Sequence, residues 1–184
     1  MLELIENRFD KFLVDLETIV NIDSGSRYVP GLEAVSAFFQ NRFQKIGWTT
    51  TNYSFDDGKV PCLEAANKPL SGNDSALDLL FIGHMDTVFE QGTAAARPFS
   101  RDEKRAYGPG VSDMKGGLVT MLHIAEILQQ TAGAEDIAIA MDFNSDEEIG
   151  CAHSEDEYIE LDSILPNMHL MFEIVKAVAD GRIS

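Results

Sequence analysis

Five carboxylates and one imidazole stand where this chain changes character. Three apolar runs end in polar clusters: Phe81-Ile82-Gly83-His84-Met85-Asp86, Met141-Asp142-Phe143-Asn144-Ser145-Asp146-Glu147-Glu148 and Leu170-Met171-Phe172-Glu173. A fourth cluster, Ser112-Asp113-Met114-Lys115-Gly116-Gly117, falls at a loop-to-helix junction. His, Asp and Glu suit a borderline cation such as Zn²⁺, and the lack of Cys in the clusters argues against a structural thiolate site. A carboxylate bridging two metals holds them about 3.5–4 Å apart, close enough to clamp a water and a substrate oxygen. A neighbouring carboxylate free of metal then takes the proton from that water. The Glu147-Glu148 pair supplies one residue to each role, because adjacent side chains in a strand-end loop point in different directions. Taken singly, each residue has a plainer alternative: His84 a hydrogen-bonded core histidine, Asp113 a helix N-cap, Glu147-Glu148 a solvated turn, Glu173 a surface residue. Together, each ending an element over about 90 residues, they weaken those alternatives.

The elements that must position these clusters follow from periodicity. Residues 2–20 place Leu2, Ile5, Phe9, Phe12, Leu13, Leu16, Ile19 and Val20 at helical spacing and read as one amphipathic helix. Turn formers follow at 21–26, then a second helical pattern over 31–46 stopped by Gly47. Residues 48–55 and 62–66 read as a hairpin around Asp56-Asp57-Gly58, and 67–75 as a polar loop. The run 77–82 suits a strand buried on both faces of a parallel sheet. Residues 87–112, with Gly92, Pro98, Gly108, Pro109 and Gly110, cannot be one regular element. A helix is expected from Gly117 to about Gln130, a strand over 137–143, a short helix over 154–161 and a strand over 168–172. Strands alternating with helices predict an α/β fold, a mostly parallel mixed sheet flanked by helices. In such sheets ligands bind outside the carboxyl ends of the strands, where three of the clusters fall.

Composition narrows the function classes. The chain has 184 residues, enough for about one domain, with 14 Lys+Arg against 31 Asp+Glu and a net charge of −17. That excess argues against nucleic-acid or anionic-membrane partners, which need clustered cations. No apolar run approaches the roughly 18 residues of a membrane span, and Met1–Asn7 carry neither a basic region nor the start of a long apolar one, so a secretory signal is not expected there. Cys62 and Cys151 read as isolated thiols in a reducing compartment, so a cytoplasmic location is expected. The segment Asp142-x-Asn144-x-Asp146 copies the opening of an EF-hand loop, yet Glu147 stands at the required glycine and His153 at the closing acid. A phosphate-binding glycine loop at 108–117 lacks the required spacing.

The segments Gly83-His84-Met85-Asp86-Thr87-Val88, Gly92-Thr93-Ala94-Ala95-Ala96-Arg97-Pro98-Phe99, Tyr107-Gly108-Pro109-Gly110-Val111-Ser112-Asp113-Met114-Lys115-Gly116-Gly117 and Asn144-Ser145-Asp146-Glu147-Glu148-Ile149-Gly150, in this order, resemble the dinuclear-zinc metallopeptidases of the aminoacylase/glutamate carboxypeptidase type. Asn21-Ile22-Asp23-Ser24-Gly25-Ser26 is similar to the glutamate carboxypeptidase branch. The resemblance implies a zinc-peptidase (phosphorylase/hydrolase-like) catalytic domain that hydrolyses an amide bond and releases a C-terminal amino acid. It implies His84 and Glu173 on one zinc, Glu148 on the second, and Asp113 bridging both. Asp86 would orient His84 from behind, and Glu147 would be the general base on a metal-bound water. A cis peptide after Asp113 and a loop-shaping role for Lys115, Gly116 and Gly117 are also implied.

Members of that family run to about twice this length, with a lid or dimerisation domain and a final histidine ligand. Residues 1–184 are therefore expected to be the N-terminal portion of the catalytic domain, with the lid domain and the C-terminal part absent. His123, His153 and His169 are poor substitutes for the final ligand, and Ile174 replaces the proline that commonly follows the Glu173 position. Two zinc ions belong to a complete site, and partial or absent occupancy is expected here. The expected partners are a small peptide or N-acyl amino acid substrate and, through an exposed sheet edge, further copies of the chain. The alternative is an inert fragment or pseudo-enzyme half.

Overall fold

Apolar spacing shapes the helices, and two of them open the chain where one is expected. In the computed structural model, which describes residues 2–55, 60–69, 77–131, 136–148 and 158–181, α1 spans Leu2–Glu6 and α2 Phe9–Val20. The break falls at Asn7-Arg8, where Arg8 turns to pair with Glu126. Helix α3, Val29–Lys45, carries Pro30 in its first turn, buries Leu32, Val35, Phe39 and Phe43, and ends before Gly47 at φ 83°. Strands β1 (Thr49–Phe55) and β2 (Val60–Ala66) form the expected hairpin; its turn lies outside the described residues. Strand β3 is Leu79–His84. The irregular stretch after it holds α4 (Thr93–Ala96), β4 (Ser100–Arg101) and β5 (Arg105–Tyr107). A wide turn over Val111–Lys115, with Asp113 and Met114 out of helical geometry, leads into α5, Gly116–Leu128. Strand β6 is Ile139–Asn144, β7 Tyr158–Glu160, and α6 Leu161–Ala179.

The main sheet has the order β1-β2-β6-β3, and a small one the order β4-β5-β7. Helices α3 and α5 pack on the main sheet, with α2 against α5. Ile139, Met141 and Phe143 of β6 point into this core, where Phe143 stacks on Phe39 at 4.8 Å between ring centroids. The sheet is mixed, as expected, but the balance reverses: β3–β6 is parallel, whereas β1–β2 and β2–β6 are antiparallel. The 48–66 hairpin docks as a unit and brings its own antiparallel edge.

The remaining departures share one cause, since a short apolar run has no readable period. The run 77–82 is not buried on both faces: Leu80 is 47% and Ile82 62% exposed. Residues 158–160 are strand rather than helix; 154–157 lie outside the described residues. The expected strand 168–172 lies inside α6. Leu161, Ile164, Met168, Phe172 and Val175 recur every three or four residues and are all buried, so the longer period overrides the short run even with Pro166 within the helix. No helix among the described residues is long and apolar enough to cross a membrane.

Candidate metal centre

The parallel β3–β6 ladder pairs His84 with Asn144, and the Met85 N–H donates to the Asn144 carbonyl at 2.7 Å. That register sets the carboxyl end of β3 beside the 145–148 loop. Ligating atoms of His84, Glu147 and Glu148 all come within 4.8 Å of one another. The Val111–Lys115 turn, with its cis Asp113–Met114 peptide bond, brings Asp113 to the same place. Gly83 lets the Leu118 and Met114 side chains pack close against β3: a Cβ there would stand 2.6 Å from Leu118 Cδ2, which would have to shift.

His84 organises the cluster. Its Nδ1–H donates to the Asp86 carbonyl at 3.0 Å and lies 3.3 Å from Asp86 Oδ1. Nε2 therefore faces outward, 3.1 Å from Asp113 Oδ1 and 3.8 Å from Glu147 Oε2. Burial opposes charge on this ring, but hydrogen bonds to Asp86 and Asp113 outweigh it and raise its pKa to about 9. Carboxylates converging on one nitrogen demand a cation, either a proton or a metal ion. The donor set fits a divalent metal: one imidazole nitrogen already oriented through its other nitrogen, and carboxylates at hand. Asp113 and Glu147 side chains stay about half exposed, at 49% and 55%, so the open side faces solvent.

Asp86 is fully buried. Burial would raise its pKa, but the His84 ring, the Ser26 hydroxyl and the Glu148 N–H hold its carboxyl below the usual range. Ser26 Oγ donates to Oδ2 at 2.6 Å and Glu148 N–H at 3.0 Å. Ser26 belongs to a strap, residues 21–26, that ties the loops of the site together. Asn21 Oδ1 accepts the Phe99 N–H, Lys115 Nζ donates to the Ile22 carbonyl, and the Asp23 carboxylate accepts from Gly92 and Ala94 N–H. Sequence reasoning read this stretch as turn formers and as a mark of the resemblance, and assigned none of its residues to the site. The polar side chains were a signal, but their partners lie about 60 to 90 residues away. A cavity of about 430 Å³ opens beside Glu148, walled by Ser26, Arg27, Tyr28 and residues 87–91.

Glu173 is not brought into the group. It sits exposed on α6, because the segment expected to end a strand is helical. Of the other histidines, His123 is buried on α5 against Asp15, His169 lies on α6, and His153 is outside the described residues.

Known proteins resemble this chain in sequence and in fold. Residues 80–152, which hold His84, Asp86, Asp113, Glu147 and Glu148, match the model of peptidase family M20/M25/M40. Carboxypeptidase G2 from Pseudomonas sp. (strain RS-16) is 34% identical over 169 residues, covering 92% of this chain and 40% of its own length. The chain thus spans well under half of that relative. Human carnosine dipeptidase 1 shares the fold with a TM-score of 0.65 at 19% identity, over 82% of this chain and 36% of that one. The M20 family metallo-carboxypeptidase Sso-CP2 from Sulfolobus solfataricus superposes with a TM-score of 0.59 at 20% identity, over 76% and 31%.

Proposed function

We propose, from the premise that the chain carries part of a peptidase family M20/M25/M40 domain, that His84, Asp113, Glu147 and Glu148 belong to a zinc-dependent site that hydrolyses an amide bond. The observation that carries this reading is the convergence of Asp113 and Glu147 carboxylates on His84 Nε2, whose partner nitrogen is fixed by Asp86. Bound zinc would supply Lewis acidity to the scissile carbonyl and to water.

The chain's own residues do the rest. Asp86 holds the imidazole in one tautomer and raises its basicity. Glu147, the more exposed of the adjacent pair, takes a proton from the attacking water as its oxygen bonds to the acyl carbon. As the C–N bond breaks, the same carboxyl returns that proton to the leaving amine, so one water is consumed and an acid and an amine are released. The substrate class is a small peptide or N-acyl amino acid cleaved at its C-terminal residue, in line with the name carboxypeptidase borne by the 34% identical relative. Glu173 enters as a further ligand through the resemblance alone; its place on α6 lends no support.

A second reading is a site that holds metal without turnover. It is favoured by one observation: His84 is the single imidazole in the group among the described residues. Zinc titration of the purified chain against a chromophoric chelator tests the shared premise. Saturable binding, weakened at least a hundredfold in His84→Ala, is expected; absence of binding overturns both readings. Hydrolysis of an N-acyl glutamate by the zinc-loaded 184-residue chain, lost in Glu147→Gln, would overturn the second.

A further inference from the structure

Residues 21–26 hold the loops of the site, yet the chemistry above uses none of their side chains. The strap is placed by backbone. Gly25 bridges Thr87, Ser26 N–H donates to the Thr87 carbonyl at 3.3 Å, and Thr87 N–H donates to the Ser24 carbonyl at 2.9 Å. The approach is too close for a side chain at 25, where a Cβ would stand 2.4 Å from the Phe89 carbonyl oxygen. These contacts deliver one hydroxyl to one buried carboxylate.

We propose that Ser26 is a positioning residue of the metal centre: its hydroxyl locks the rotation of the Asp86 carboxylate, and through it the orientation of the His84 ring. The inference rests on the reading of His84 as a metal ligand. Asp86 Oδ2 takes two donors, the Ser26 hydroxyl and the Glu148 N–H, whereas Oδ1 has no well-formed hydrogen bond and faces His84 Nδ1 at 3.3 Å, adding its charge to the Asp86 carbonyl that accepts the Nδ1–H at 3.0 Å. With Oδ2 pinned from two sides the carboxylate cannot turn, and Oδ1 stays aimed at the imidazole. Removing the hydroxyl leaves a single backbone donor and a carboxylate free to rotate. The Glu148 backbone shares that anchor, so the same hydroxyl also steadies the loop carrying the Glu147-Glu148 pair.

Partners that orient a ligating histidine typically contribute 10- to 100-fold in metal affinity, and the test reads that quantity directly. Zinc affinity of the 184-residue chain is measured by chelator competition, with thermal unfolding of the metal-free protein alongside. Ser26→Ala is expected to bind zinc about tenfold more weakly or worse, while Ser26→Thr, which keeps the hydroxyl, stays within about threefold of the parent. Asn21→Ala cuts the strap at its far end, where Asn21 accepts the Phe99 N–H. It is expected to lower the unfolding temperature while leaving zinc affinity within the same threefold. Equal affinity of Ser26→Ala and parent overturns the proposal, and so does an Asn21→Ala loss as large as that of Ser26→Ala. If Ser26→Ala does not fold, the isosteric pair Ser26→Thr and Ser26→Val carries the comparison, and equal affinities overturn it. A parent chain that binds no zinc overturns this inference together with the reading beneath it; a parent that binds beside an unaffected Ser26→Ala overturns the inference alone.

Discussion

Glu147 and Glu148 are adjacent and chemically identical, and their surroundings separate them. Glu148 is buried, its N–H tied to Asp86, whereas the Glu147 side chain is about half exposed and lies 3.8 Å from His84 Nε2. A buried carboxylate facing an imidazole is suited to a cation, and an exposed one at the rim to proton exchange with water. Glu148→Gln is therefore expected to weaken zinc binding by tenfold or more, and Glu147→Gln to leave it within about threefold, both read by chelator competition. Equal losses in the two variants would remove the division of roles. The pair itself was legible in the sequence because Glu-Glu at the end of an apolar run is a local pattern. The residue pattern alone does not say which of the two turns inward, since that depends on an Asp86 carboxylate 62 residues away; the expected division between Glu147 and Glu148 came from the resemblance.

At the scale of elements, helices α2, α3 and α5 are joined by buried charges rather than by apolar packing alone. Glu126 on α5 receives Arg8, Lys11 and Arg42, while Asp15 on α2 pairs with Arg42 and His123. Burial opposes charge on Asp15 and Glu126, but their cationic and His123 partners prevail and hold both carboxyls below the usual range. Burial pushes the His123 pKa down, against the pull of Asp15. All three signs agree. The carboxylates contribute stability above their unfolded pKa values near 4, and it is lost as pH falls through the folded ones. Below about pH 6.5 the unfolded chain protonates His123 while the folded one resists, so stability falls there too. The unfolding temperature is expected to drop from pH 7 toward pH 4, and His123→Gln to flatten the upper part of that slope. Glu126→Gln takes a buried carboxylate from Arg8, Lys11 and Arg42, although Arg42 keeps Asp15 and Lys11 is half exposed, and should cost about 3 kcal/mol in denaturant unfolding. An unchanged midpoint would show that the network contributes nothing.

At the scale of the molecule, the charge and the sheet pull in opposite directions. A net charge of −17 keeps copies apart at low salt. Among the described residues the main sheet ends on β3, whose Leu80 and Ile82 are exposed, and Phe81 of the same strand walls an apolar groove with Leu170, Met171 and Ile174. An open edge with exposed apolar side chains is a template for pairing with another chain. Self-association that grows with salt is expected in sedimentation, and Ile82→Lys should reduce it. A monomer at high protein and salt concentration would show that the edge is silent.

The amino-acid sequence by itself located most residues of the candidate site and the helices α2, α3 and α5, but not α6, the longest of the described helices. Both depend on short-range patterns: polar residues ending an apolar run, or apolar residues recurring over four or more turns. His84, Asp86, Asp113, Glu147 and Glu148 were all named from such patterns and from a resemblance resting on contiguous motifs, and all five come together. Tertiary structure decided what no local pattern holds. The β6 neighbours, one parallel and one antiparallel, depend on where the 48–66 hairpin docks. The helix over 168–172, by contrast, follows a longer period that runs through Leu161, Ile164 and Val175 in the sequence itself, outside the short apolar run. Ser26 acquired its partner only when a loop 60 residues away in the chain folded against it, because a hydroxyl carries no record in sequence of the carboxylate it will meet.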